Sequence, residues 1–180
     1  MGSPSKEDVI LDLILESSPL KHWHFEELVK ETKMTRASVN KWLKKLVKEK
    51  ILFKIKEKNK FSYFTVGKNN QEYYCRKKLR ALQKIYESGL VQNLVNQEKA
   101  RNIVLFGSMS KGDYYANSDI DLFILGNISD FNKKVYERKL LKNIELHIFK
   151  NKEELKKLKS GLIKNVLNGY VIKGDINNLL

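Results

Sequence analysis

Residues 102–126, NIVLFGSMSKGDYYANSDIDLFILG, constrain the fold more than any other stretch of the chain. Two apolar runs, 103–106 and 122–125, are too short for helices and suit strands buried on both faces. Gly107 and Ser108 end the first run and Asp119-Ile120-Asp121 opens the second, so the segment reads as strand, turn, short helix, strand. Side chains alternate along a strand, which puts Asp119 and Asp121 on one face and Ile120 and Leu122 on the other.

Each half of this segment has its own chemistry. A glycine lets backbone N–H groups crowd toward a ligand, and a helix starting at Ser108 would aim its positive end at the same point, which suits phosphate oxygens. The two carboxylates repel, and a divalent cation held by oxygen ligands relieves that repulsion; magnesium fits, with manganese as the alternative. Two other phosphate motifs fail. Residues 107–112 have P-loop glycine spacing, but Asp113 and Tyr114 stand where Lys and Ser or Thr are required, and no G-x-G-x-x-G occurs.

Gly107-Ser108, ten intervening residues and then Asp119-x-Asp121 resemble the signature of the DNA polymerase beta-like nucleotidyltransferases, particularly the small prokaryotic minimal members. The resemblance covers roughly residues 90–174. It implies that Gly107 and Ser108 hold the β and γ phosphates of an NTP, with Lys111 as a counter-charge, and that Asp119 and Asp121 bind Mg²⁺. It also implies a third carboxylate on a neighbouring strand. Glu145 matches that position, although Asp is usual there, and would complete the metal site and help deprotonate the attacking hydroxyl. His147, two residues on, is read as a satisfied sheet histidine rather than a metal ligand.

The remainder of the chain reads as a separate module. A capping pattern at Ser5 and Asp8 opens a first helix to residue 16, residues 25–33 form a second, and Thr35 caps a third that runs to about Val47. Residues 51–66 alternate in two halves around Lys58-Asn59, the pattern of a β-hairpin. Three short helices and a hairpin resemble a winged helix-turn-helix. Between residues 41 and 60 stand nine Lys against two Glu, where such a fold would touch duplex DNA. Arg36, Ser38 and Asn40 are the expected base readers. Lys41, Lys44 and Lys45 on the third helix, with Lys58 and its neighbours on the hairpin, would contact phosphates. Winged helices also dock proteins, and that reading stays open.

Residues 67–70 are turn-like and separate the modules, giving a winged helix over 1–70, a connecting helix over 71–100 and a minimal transferase over 101–180. The connecting helix runs to about residue 96 with a break near Gly89, and Leu79, Leu82, Tyr86 and Leu90 are its expected buried positions. Cys75 is expected to be a partly buried small apolar residue. After the central stretch follow a basic helix over 130–142, a strand over 143–149, helices over 152–159 and 161–167, and a last strand over 169–172. The expected class is α/β of the α+β kind, with a small mixed sheet in the second module.

The formal net charge of +14 favours an anionic partner, nucleic acid first. A single cysteine, apolar runs far short of a membrane span and no signal peptide predict a cytoplasmic protein without membrane contact. The expected function is metal-dependent transfer of an NMP from an NTP to a protein or nucleic-acid hydroxyl, with a DNA-binding winged helix. Two alternatives stand beside it: a DNA-binding regulator whose transferase fold senses nucleotide or is inactive, and an antitoxin-like partner of a second protein. The resemblance supports the latter, since small relatives are often paired with a helical partner.

Overall fold

Ser5 starts α1 (Lys6–Leu15) through a reciprocal cap: the Asp8 N–H donates to Ser5 Oγ (3.1 Å) and the Ser5 N–H donates to Asp8 Oδ2 (3.2 Å). The computed structural model describes residues 5–67, 69–156 and 160–179. Met1 to Pro4, Lys68 of the turn-like segment and the end of the helix expected over 152–159 therefore lie outside the described residues. The chain divides into two compact units, Met1–Lys77 and Lys78–Leu180.

In the first unit, α2 (Phe25–Thr32) and α3 (Arg36–Lys48) join α1. Ile10, Ile14, Leu28, Val39, Leu43 and Leu46 meet in one core around Trp23. Each such fully buried aliphatic side chain contributes roughly 1.5–3 kcal/mol. β2 (Phe53–Ile55) and β3 (Tyr63–Thr65) pair antiparallel as the expected hairpin, and Asn59 turns its tip with φ 60°. A two-residue strand, β1 (Trp23–His24), adds to the far side of β3 and makes a three-stranded sheet. Two residues cannot display alternation, so no sequence pattern marks it.

The helix expected over 71–96 is two helices, α4 (Gln71–Glu87) and α5 (Leu90–Val95), separated at Gly89 with φ 82°. Leu90 is buried as expected and Leu82 is half-buried, but Leu79 (58% exposed) and Tyr86 (46%) face outward, contrary to expectation. The buried stripe of α4 is instead Tyr73, Lys77, Ala81 and Ile85, spaced four apart. A lysine and an alanine hide that stripe from a hydrophobicity reading. Cys75 lies off it and is exposed rather than partly buried.

The second unit is built on β4 (Ala100–Phe106), β5 (Ile120–Gly126), β6 (Ile144–Phe149) and β7 (Tyr170–Lys173), in the order β6-β5-β4-β7. The sheet is mixed: β5 and β6 run parallel, while β4 is antiparallel to both β5 and β7. Between these strands lie α6 (Gly107–Lys111), α7 (Lys133–Leu140), α8 (Lys152–Leu155) and α9 (Ser160–Leu167). Parallel strands need a crossover, and α7 provides it. It is shorter than the expected 130–142, because Asn132 caps its start and Leu141 turns left-handed at its end. One sheet face buries Ile103, Leu105, Leu122 and Ile124 with Ala81, Ile85 and Leu90. The other buries Val104, Phe106, Phe123 and Leu125 with Leu155 and Val166. Burial on both sides explains the unbroken apolar runs, and the whole is an α+β fold.

Candidate active site

Strand register assembles the site. Phe106 on β4, Asp121 on β5 and Glu145 on β6 are direct partners across the sheet, so their side chains share one face. His147 follows two residues after Glu145 on that same face. One ligand atom from each of Asp121, Glu145 and His147 lies within 4.8 Å of the other two, and this is the metal-competent cluster among the described residues. The His147 Nε2 to Glu145 Oε2 distance is 3.6 Å, and the Phe106 ring meets the imidazole edge-on at 5.2 Å between centroids.

Gly107 follows Phe106 with φ 70°, and a Cβ at that position would overlap Asp121 Oδ2. The turn after β4 thus runs directly against the carboxylate, an approach only glycine permits. Phe106 stands at the N-cap of α6 and supplies no side-chain cap to its first turn. Gly107→Ala is expected to destabilise the second unit by at least about 1–2 kcal/mol, the strain of a left-handed alanine, and to push Asp121 out of the cluster. Thermal unfolding together with divalent-cation titration measures both effects.

Burial, and next the negative charge of Glu145, push the Asp121 carboxyl above the usual carboxylate range; His147 pulls the other way and Asp119 adds a small upward push. Such a group is held at a free-energy cost that a cation would remove. The two carboxylates and the imidazole therefore fit a divalent ion by chemistry as well as by spacing.

Asp119 is placed differently from the expected strand position. β5 starts at Ile120, and Asp119 precedes it, accepting a hydrogen bond from Asn143 Nδ2 (3.2 Å). It stands beside Asp121 but outside the three-residue cluster, and lines a cleft of about 590 Å³ with Asn143, Lys134, Glu137, Arg138 and Lys142. Lys142 is committed to the carbonyls of Tyr115 and Ala116 (3.0 and 2.7 Å), while Lys134 and Arg138 project from α7 as exposed cations. Of the phosphate-binding candidates, Ser108 is half-buried at the turn, and Lys111 reaches Asn165 Oδ1 at 3.3 Å. His147, expected to be a sheet histidine without a ligand role, shares the face of Glu145 through their i, i+2 spacing on β6.

Lys41, Lys44 and Asn40 are exposed on α3, and Lys58 is exposed on the hairpin. Lys45 is tied to Glu7 at 2.6 Å and lies 3.8 Å from Glu49. Arg36 pairs with Glu26 at 2.6 Å and stands over the Phe25 ring, and Ser38 is engaged with the Thr35 cap.

Residues 89–175 match the family model described as polymerase beta, nucleotidyltransferase. The matched segment spans β4 to β7 and contains every residue of the cluster, which supports placing it in the DNA polymerase beta-like nucleotidyltransferase superfamily and points to nucleotidyl transfer from an NTP. That superfamily generally uses a divalent metal. No protein of curated function matches the chain. No helix among the described residues is long and apolar enough to cross a membrane.

Proposed function

We propose that the second unit transfers a nucleoside monophosphate from an NTP to an acceptor hydroxyl, and that the first unit is a winged helix-turn-helix that binds duplex DNA. The observation that carries the first part is the Asp121–Glu145 register pair set against Gly107, within the segment that matches the family model. In this reading the amides of Gly107 and Ser108 hold the β and γ phosphates, Lys111 adds a counter-charge, and Asp119, Asp121 and Glu145 hold the cation. The bound cation supplies charge neutralisation and Lewis acidity at the phosphate. The acceptor oxygen bonds to the α phosphorus, Glu145 takes its proton, and the bond to the β-phosphate oxygen breaks so that pyrophosphate leaves. The cleft bordered by Asp119, Lys134 and Arg138 supports acceptor entry from that side.

The test pairs calorimetry with incorporation of α-labelled NTPs into DNA, RNA and proteins that co-purify from the native host. The expected result is divalent-dependent NTP binding by both parent and Glu145→Gln, with label transfer by the parent alone. Transfer by Glu145→Gln at the parent rate is incompatible with a catalytic Glu145. Metal-dependent binding without transfer to any acceptor would favour the nucleotide-sensing regulator, and binding of a protein without label the antitoxin-like partner.

A further inference from the structure

The sequence reading takes His147 as a satisfied sheet histidine; in the structure its side chain is 31% exposed on the edge strand β6. No hydrogen bond reaches its ring among the described residues, and its nearest polar neighbour, Glu145 Oε2 at 3.6 Å, lies beyond hydrogen-bond range. Here the Phe106 ring, crossing at 61°, holds the imidazole, and Nε2 faces the carboxylate of Glu145 while Asp121 completes the group. Two atoms bound to one ion at about 2.1 Å each are separated by at most about 4.2 Å. The three donors already lie within 4.8 Å, so small side-chain rotations bring them onto one ion.

We infer that His147 is a ligand of the cation held by Asp121 and Glu145, and that its nitrogen makes this centre select a first-row transition dication, such as Mn²⁺, Co²⁺ or Zn²⁺, over Mg²⁺. The inference rests on the reading of this cluster as the metal site. Mg²⁺ is a hard cation that keeps oxygen ligands and water, whereas imidazole suits the later first-row metals. Because transition dications outrank Mg²⁺ at almost any mixed site, the particular claim is the share of that preference carried by one side chain. Disturbing a partner that merely orients a metal ligand costs about 10–100-fold in affinity, so losing the ligand itself should cost at least about tenfold.

The test is calorimetric titration of the full chain with Mn²⁺, Zn²⁺ and Mg²⁺, for the parent, His147→Ala, His147→Gln and Asp121→Asn. His147→Ala should lose at least about tenfold in Mn²⁺ and Zn²⁺ affinity with Mg²⁺ binding little changed, which also shows that the variant is folded. His147→Gln, which offers an oxygen, should narrow the gap between Mn²⁺ and Mg²⁺. A direct signature comes from the imidazole nitrogens: of three histidines, the one missing in His147→Ala should shift its ¹⁵N resonances when Zn²⁺ is added. Unchanged Mn²⁺ and Zn²⁺ affinity in His147→Ala, with binding lost in Asp121→Asn, would overturn this inference and leave the metal site standing. Metal binding that survives Asp121→Asn as well would overturn both.

Discussion

Asp121→Asn is expected to abolish divalent-dependent NTP binding, to lower nucleotidyl transfer by about a hundred- to a thousandfold or more, and to make the metal-free protein more stable. The first two effects follow from position: Asp121 is the residue that faces Gly107, Glu145 and His147 at once. The third follows from its electrostatics. Burial and Glu145 raise the Asp121 carboxyl, so the folded chain favours its neutral form. Well below the ordinary Asp pKa of about 4, the group is protonated whether the chain is folded or unfolded, and the variant gains nothing. As pH rises through the elevated pKa of Asp121 the parent loses stability that an uncharged Asn keeps. Melting curves in EDTA at about pH 3 and about pH 8 should therefore nearly coincide for parent and variant at the lower pH, with the variant melting higher at the upper one. Added Mn²⁺ should stabilise only the parent. A variant that melts below the parent at pH 8 without metal would contradict the electrostatic account.

The second large effect concerns the first unit. If α3 and the hairpin contact DNA as proposed, Lys41→Ala with Lys44→Ala should lower the slope of log affinity against log salt by about 0.9 per lysine, roughly a tenfold change in the affinity ratio between 50 and 200 mM salt. Lys45→Ala should behave differently. Its ammonium is engaged by Glu7, which raises its pKa, so it would have to give up that partner to meet a phosphate. That substitution should change the salt slope less and reduce thermal stability modestly. Fluorescence anisotropy with a labelled duplex over a salt series separates the two cases. No binding by the full chain at low salt would shift the reading to protein docking.

The legible parts of this chain were those where local pattern and tertiary burial agree. The runs 103–106 and 122–125 lie in strands buried on both faces, and Ser5, Thr35 and Gly89 mark helix ends by chemistry that is local in sequence. Glu145 was singled out because the resemblance calls for a third carboxylate on a neighbouring strand, and the register sets it opposite Asp121. The misses have physical causes too. The buried face of α4 depends on a lysine stem and an alanine, which carry little apolar signal. Lys45 meets Glu7 across 38 residues of sequence, so its ion pair cannot be read from spacing. The position of Asp119 depends on a hydrogen bond from Asn143 at the foot of the next strand, beyond the reach of an i, i+2 rule.

Parallel pairing of β5 and β6 also bears on how the second unit forms and how long it lasts. The β4–β5 pair is antiparallel and close in sequence, so it can zip early, whereas β6 can join only after the α7 crossover has closed its loop. Glu145 and His147 arrive with β6, and the full ligand set does not exist before that step. Interactions that are absent from the folding transition state act on the unfolding rate. A cation bound by this set would therefore lengthen the lifetime of the folded unit while leaving its rate of formation nearly untouched, so that metal supply would govern persistence rather than folding speed.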